Sequence, residues 1–217
     1  RRYWAYQSIV KPAIPKIDDP RVRTPIDALI VAAGGEGFSF APDANPYTLL
    51  RRVALGLTGL PPLEDEMELA KRDLSGPGFG PLLDRFLSSP HYGERWARHW
   101  LDVAGYADSE GANNADTERA WAWKYRDYVI RAFNDDKPFD RFILEQLAGD
   151  ELVPQPHKNL NPEQIELLAA TGFLRMAADP TGGSNTVETR NQTIADTLQI
   201  VSSAFIGLSL HCAQCHD

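Results

Sequence analysis

Both cysteines of this 217-residue chain lie within its last seven residues, which read HCAQCHD. Cys212 and Cys215 are three residues apart and His216 follows directly, so the chain contains the C-x-x-C-H pattern to which c-type haem is attached. In a turn of helix, residues three apart share a face, so two thiols can bond to the two vinyl groups of one porphyrin. The imidazole of His216 then follows as the proximal ligand of the iron.

The same residues also fit three other kinds of site. A zinc ion could be held by His211, Cys212, Cys215 and His216, because thiolates and imidazoles are its usual ligands. A C-x-x-C pair can be a redox dithiol, although that function favours a thioredoxin-like βαβ setting, which this sequence lacks. Both cysteines could also be small apolar side chains at the end of a buried helix. The pattern alone leaves all four interpretations open.

Two side chains are candidates for the second axial position of a haem iron. Met176 ends a predicted helix and precedes a loop, from which a thioether could reach iron and raise its potential. The alternative is that Met176 fills the core. His99 lies between Trp96 and Val103 on the aromatic face of its helix, where a hydrogen-bonded core histidine is the alternative.

A polar loop and two tryptophans are further candidate functional features. The polar side chains of the loop are Tyr106, Asp108, Glu110, Asp116 and Glu118. They could bind a cation or sugar hydroxyls, but the loop fails the EF-hand pattern, and a solvated loop is the alternative. Trp121 and Trp123 are two apart on a helix, so we expect one in the core and the other as a stacking platform for a sugar or a partner. No nucleophile elbow or phosphate-binding glycine loop is present, so there is no positive case for hydrolase or transferase catalysis.

The bulk composition excludes some partners. The formal net charge is −8 and no basic stripe occurs, so we do not expect nucleic-acid binding. No stretch approaches the roughly 18 apolar residues of a membrane span. The chain begins without Met and without a signal-like region, so we expect it to be a segment of a longer protein.

Helices separated by proline and glycine account for nearly the whole sequence. We expect residues 1–23 to be an extended Pro-rich arm held by Trp4 and Tyr6, and residues 24–217 to form a single helical domain ending in C-x-x-C-H. Prolines in the first helical turn indicate helix starts at Pro25, Pro46, Pro61-Pro62, Pro90, Pro138 and Pro162. The last helix, about Val187 to Leu210, is apolar nearly all round in its second half, so we predict it to be the buried central helix. No segment alternates as a strand does, so the predicted fold class is all-α, an irregular multi-helix domain without significant sheet.

Long motifs carry a family resemblance over essentially the whole chain. They are SPHYGERWARHWLDVAGYADSEG, AWKYRDYVIRAFNDDKPFDRFILEQLAGDEL, AATGFLR and IGLSLHCAQCHD, with RRYWAYQSIVKPAIP and RRVALGLTGLPP nearer the start. The chain resembles the second type of planctomycete cytochrome-like domain, PSCyt2, whose function is unknown. It departs from the family's usual pattern at Gly105, where Arg is common, and at His211, where Gly is commoner.

This resemblance implies a setting and a function. Similar proteins are large and exported, often with a cytochrome c-like domain upstream and another uncharacterised domain downstream. That implies a periplasmic or other extracytoplasmic location, partner domains on the same polypeptide, and a haem c held by Cys212, Cys215 and His216 for electron transfer or redox sensing. The alternative is a helical interaction or polysaccharide-binding module in which the C-x-x-C-H motif binds zinc or is structural.

Overall fold

The predicted all-α fold class is confirmed by a computed structural model, which describes Tyr3 and residues 6–35, 37–73, 79–111, 116–180 and 185–215. In this part of the chain there is no strand, and one isolated bridge joins Ser109 and Glu118. The α-helices are α1 (Pro25–Gly34), α2 (Pro46–Leu57), α3 (Glu64–Asp73), α4 (Phe79–Leu87), α5 (Pro90–Ala104), α6 (Ala122–Asn134), α7 (Phe139–Ala148), α8 (Pro162–Ala170) and α9 (Val187–Ile206). Short 3-10 helices occur at Gly149–Leu152, Thr171–Arg175 and His211–Gln214.

Most predicted helix starts are confirmed, and the caps give the reason. Thr24 precedes α1 and accepts a hydrogen bond from the Asp27 N–H, while the Asp27 carboxylate accepts one from the Thr24 N–H at 2.8 Å. Asn161 and Gln164 make the same reciprocal pair at the start of α8. Helix α3 begins at Glu64, later than its two prolines indicated.

Contacts divide the chain into two units, Arg1–Asn45 and Pro46–Asp217. In the first unit, the described residues ahead of α1 form no α-helix and no strand. The expectation that Tyr6 is an anchor of this segment is wrong, because its side chain is exposed and its ring contacts Tyr3. Trp4, the other expected anchor, lies outside the described residues.

In the second unit, helices α5 and α6 form a close antiparallel pair. The contact depends on Gly93, because a Cβ atom at this position would lie 2.4 Å from the carbonyl oxygen of Ile130. Asn134 completes the contact by accepting a hydrogen bond from the Gly93 N–H at 2.7 Å and donating one to the Pro90 carbonyl. A second cluster, formed by α2, α3 and α4, contains Leu50, Ala54, Ala70, Leu82 and Phe86.

The main core is aromatic and contains a buried polar network. Trp100 on α5 donates from Nε1 to the Gln146 Oε1 atom at 2.9 Å, and the Tyr125 hydroxyl donates to the same oxygen at 2.7 Å. Phe142 and Phe173 pack against Trp100, with ring centroids 5.0 Å and 6.1 Å away. Because the polar side-chain atoms of Trp100, Tyr125 and Gln146 all have partners, the network connects α5, α6 and α7 at little desolvation cost.

The prediction that the last helix is the buried central helix is wrong. Only Ser202 of α9 is buried, and Ile194 and Leu198 are more than half exposed. The helix packs against the main core through one face of its second half, which includes Ile200 and Phe205. A nearly uniform apolar composition cannot distinguish a buried helix from one that covers the core on a single side.

The last helix also ends earlier than predicted. Gly207 adopts a left-handed conformation (φ 64°) and its N–H bonds to the Ser202 carbonyl, which stops α9 at Ile206 rather than at Leu210. The Leu208 N–H bonds to the same carbonyl. The cysteines therefore lie on a separate turn after α9 rather than on the helix itself.

Candidate functional site

The C-x-x-C segment forms a single 3-10 turn, His211–Gln214, with Cys215 directly after it. The Ala213 N–H bonds to the Leu210 carbonyl, and the Cys215 N–H bonds to the Cys212 carbonyl at 3.4 Å. Residues three apart eclipse one another in an ideal 3-10 helix, so this backbone is compatible with two thiols on one side of the turn. Both thiols are free and exposed.

An apolar groove of about 390 Å³ lies between this turn and α9. On the α9 side it is lined by Ile194, Ala195 and Leu198, and on the turn side it is lined by Leu210 and Ala213. The Gln214 side chain connects the turn to α9 by donating a hydrogen bond to Gln192 Oε1 at 3.4 Å. Neither cysteine lines the groove, so the thiols are presented on another side of the turn.

Of the candidate iron ligands, the structure places Met176 and His99 in opposite environments. Met176 is buried within the main core cluster. His99 is exposed, with its ring 5.5 Å from that of Trp96, so the alternative of a core histidine is wrong. The face of α5 that carries His99 and Trp96 reaches solvent, because α6 covers the adjacent face, which contains Gly93. His216, the predicted proximal ligand, lies outside the described residues.

The zinc interpretation concerns the same turn. Among the residues that the structure describes, no three His, Cys, Asp or Glu side chains are grouped so as to hold a metal ion. That set includes His211, Cys212 and Cys215 but not His216, which is the fourth candidate ligand. Zinc binding therefore stays a prediction.

The polar loop between α5 and α6 contains a short antiparallel pairing of its two ends. The Ser109–Glu118 bridge is flanked by hydrogen bonds from the Glu110 N–H to the Thr117 carbonyl and from the Arg119 N–H to the Asp108 carbonyl. Gly105 adopts φ 71° and ends α5, so glycine suits this position.

Two carboxylates of this loop, Asp108 and Asp116, accept local hydrogen bonds. Asp108 accepts one from the Tyr106 hydroxyl at 2.6 Å, and burial together with this bond raises the pKa of Tyr106 to about 12. The Asp116 carboxylate accepts one from the Gly111 N–H at 3.1 Å. These bonds stabilise the loop, and the described carboxylates do not form a metal-binding group.

The expectation that one of the two tryptophans is in the core is wrong, because both Trp121 and Trp123 are exposed. Trp121 occupies the N-cap position of α6 rather than lying within the helix, so the helical spacing of two does not apply to the pair. Lys124 lies beside both rings, with Nζ 4.7 Å from the Trp121 centroid and 5.8 Å from that of Trp123.

One residue that the sequence did not single out, Arg119, connects the loop to the segment after the Thr171–Arg175 turn. Its guanidinium donates to the carbonyls of Met176 and Ala177, at 3.3 Å and 2.6 Å. Burial lowers the pKa of Arg119. Because its partners are 57 and 58 residues away and are backbone atoms, no local pattern indicates this contact.

The fold and the terminal turn define an all-α domain that presents a free C-x-x-C pair on its surface. The chain belongs to the PSCyt2 family, described as a protein of unknown function (DUF1549), which it matches over residues 25–217. Comparison with curated proteins and comparison with solved structures find no match. None of the helices in the described part of the chain combines the length and apolar character needed to cross a membrane.

Proposed function

We propose that this domain binds haem c covalently through Cys212 and Cys215, with His216 as the proximal ligand, and serves electron transfer or redox sensing in an exported protein. The observation that carries the proposal is that two free, exposed thiols lie three residues apart at a single turn of backbone. A buried pair would have left no room for a large flat ring. The domain is not proposed to catalyse a bond-breaking reaction.

The residues of the turn fit covalent attachment. Each thiol would add across one vinyl group, with sulfur bonding to one carbon and the thiol hydrogen passing to the other, so the addition needs no external oxidant. A haem held in this way supplies reversible one-electron chemistry at iron. Two anchors on the surface hold the group without a deep cavity, which agrees with the exposure of Cys212 and Cys215.

The proposal is tested by producing the chain, with an added export signal, in a host that matures c-type cytochromes. We expect roughly one haem per chain in a pyridine haemochrome assay, and we expect it to resist extraction with acidified acetone. The Cys212→Ser/Cys215→Ser variant is expected to lose the covalent haem and to keep the helical circular dichroism of the wild type, because both side chains are exposed. Colourless wild-type protein from this host would overturn the proposal.

His211 provides a control that separates haem from zinc. It neighbours Cys212 but is not part of C-x-x-C-H, so His211→Ala should retain covalent haem. If the motif instead holds zinc, metal analysis would give about one zinc per chain, and His211→Ala would reduce it. That outcome would replace the haem proposal with the zinc alternative.

A further inference from the structure

A second concave site lies away from the cysteines, at the start of α6. Its volume is about 530 Å³, within the range of small-ligand pockets. One side is formed by Trp121 and the segment that precedes it, and the other by α8 and the Thr171–Arg175 turn. All of its lining residues lie in the Pro46–Asp217 unit.

The walls of this pocket are predominantly apolar. Trp121 is 69% exposed and lies at the rim, and Ile165 on the opposite wall is 45% exposed. Leu168 and the buried Met176 continue the apolar surface inward. An exposed indole beside an apolar wall can bury the C–H face of a ligand.

The rim carries positively and negatively charged side chains, and several of them are held in place by contacts within the fold. Arg119 uses two of its N–H groups to bind the carbonyls of Met176 and Ala177, which fixes the guanidinium at the edge of the pocket. Arg175 forms an ion pair with Asp179, whose side chain is buried. Glu110 and Lys124 complete the charged lining, and the Lys124 ammonium lies beside the Trp121 ring.

The combination of walls and rim selects one chemical class of ligand. An aliphatic ligand would make no polar contact with the charged rim, and an anion would meet the carboxylates of Glu110 and Asp179 as well as the cations. A neutral sugar uses both kinds of group, because each hydroxyl can donate to a carboxylate and accept from a guanidinium or ammonium. Its ring also presents apolar C–H groups to an indole.

We infer that this pocket binds a neutral sugar unit of an oligo- or polysaccharide, with one ring face on Trp121 and its hydroxyls bonded to Arg119, Arg175 and Glu110. The site is separate from the Cys212–Cys215 turn and does not require haem. It adds a ligand-binding function to the redox function proposed above.

The test is isothermal titration of the purified chain with neutral β-1,4-linked oligosaccharides of glucose, of xylose and of N-acetylglucosamine. At least one should bind with a Kd in or below the millimolar range, and should change the tryptophan fluorescence. Trp121→Ala should weaken that binding about tenfold or more, as removal of a central aromatic contact does. Glu110→Gln, which removes a charged acceptor at nearly constant volume, should weaken it by about threefold.

Trp123→Ala is the matched control, because Trp123 is an exposed tryptophan two residues away that does not line the pocket. It should bind the sugar as the wild type does. The Cys212→Ser/Cys215→Ser variant should also bind normally, so failure of the haem proposal leaves this test unaffected.

Three results would overturn the inference. They are the absence of binding by the wild type up to about 10 mM sugar, equal losses in Trp121→Ala and Trp123→Ala, and tighter binding of a glucuronic acid oligomer than of its neutral counterpart. The last result would assign the site to an anion.

Discussion

The buried carboxylate of Glu145 on α7 links this helix to Tyr128 on α6. It accepts hydrogen bonds from the Tyr128 hydroxyl at 2.9 Å, from Arg141 Nε at 2.8 Å and from Lys137 Nζ. Although burial acts to raise the pKa of Glu145, these three hydrogen bonds outweigh it, and the pKa lies below its ordinary value of 4.5. Substitution of Glu145 by Gln keeps the shape and removes the charge.

The structure sets the expected size of this effect. Removing one partner of a fully buried ion pair costs about 3–5 kcal/mol. Here the cost should be smaller, because the side chains of Lys137 and Arg141 are 22% and 46% exposed and can regain water. The introduced amide would also retain an acceptor for the Tyr128 hydroxyl. We therefore expect Glu145→Gln to lower the free energy of unfolding by about 2–3 kcal/mol at neutral pH.

The pH dependence has a definite sign. Because the folded-state pKa is lowered, the stabilisation is present above the ordinary value of 4.5 and is lost as the pH falls through the folded-state pKa. Urea unfolding followed by far-ultraviolet circular dichroism should thus show a difference between wild type and Glu145→Gln that shrinks below about pH 4.5. The control is Glu166→Gln, which breaks the exposed pair with Arg131 and should cost about 1 kcal/mol or less.

A difference between wild type and Glu145→Gln that is as large well below pH 4 as at neutral pH would refute this reasoning. The cost would then come from packing and not from charge. Equal costs for Glu145→Gln and Glu166→Gln at neutral pH would refute it as well.

Two further stability predictions concern the contacts between helices. Gly93→Ala should destabilise the fold by about 2 kcal/mol or more in thermal unfolding, because the new methyl group meets the backbone of α6. Gly56→Ala, where nothing lies within 4 Å of the added Cβ, should stabilise it by up to about 1 kcal/mol, and a loss at both sites would contradict the close-approach explanation. Gln146→Leu should cost about 1–3 kcal/mol in urea unfolding, because the buried Tyr125 hydroxyl loses its acceptor, whereas Gln192→Leu, at an exposed position, should have little effect. Similar costs at both glutamines would show that the buried network is not the cause.

Local signals in the sequence were sufficient for the fold class and for most helix starts. Thr24-Pro25 and Asn161-Pro162 combine a side chain that caps the helix with a proline in the first turn, and both pairs start a helix in the structure. The C-x-x-C spacing predicts that the two thiols share a side, and this prediction depends only on a single turn of backbone. Such features involve neighbouring residues, so no knowledge of the packing is needed.

The environment of each side chain was decided by packing between distant segments. By helical spacing Ile194 and Leu198 lie on the same face of α9 as Phe205, yet they are more than half exposed because only the second half of the helix packs against the main core. Trp121 was expected to lie on a helix together with Trp123, but it precedes α6 and lines a pocket.

The amino-acid sequence by itself determined the helices, their caps and the pair of thiols, because these follow from backbone conformation over a few residues. Only the tertiary structure decided which apolar faces are covered, that Arg119 is bound to the carbonyls of Met176 and Ala177, and that a pocket forms beside Trp121. The physical reason is that burial and hydrogen bonding between distant residues depend on how the helices pack, which the local periodicity of a sequence does not specify.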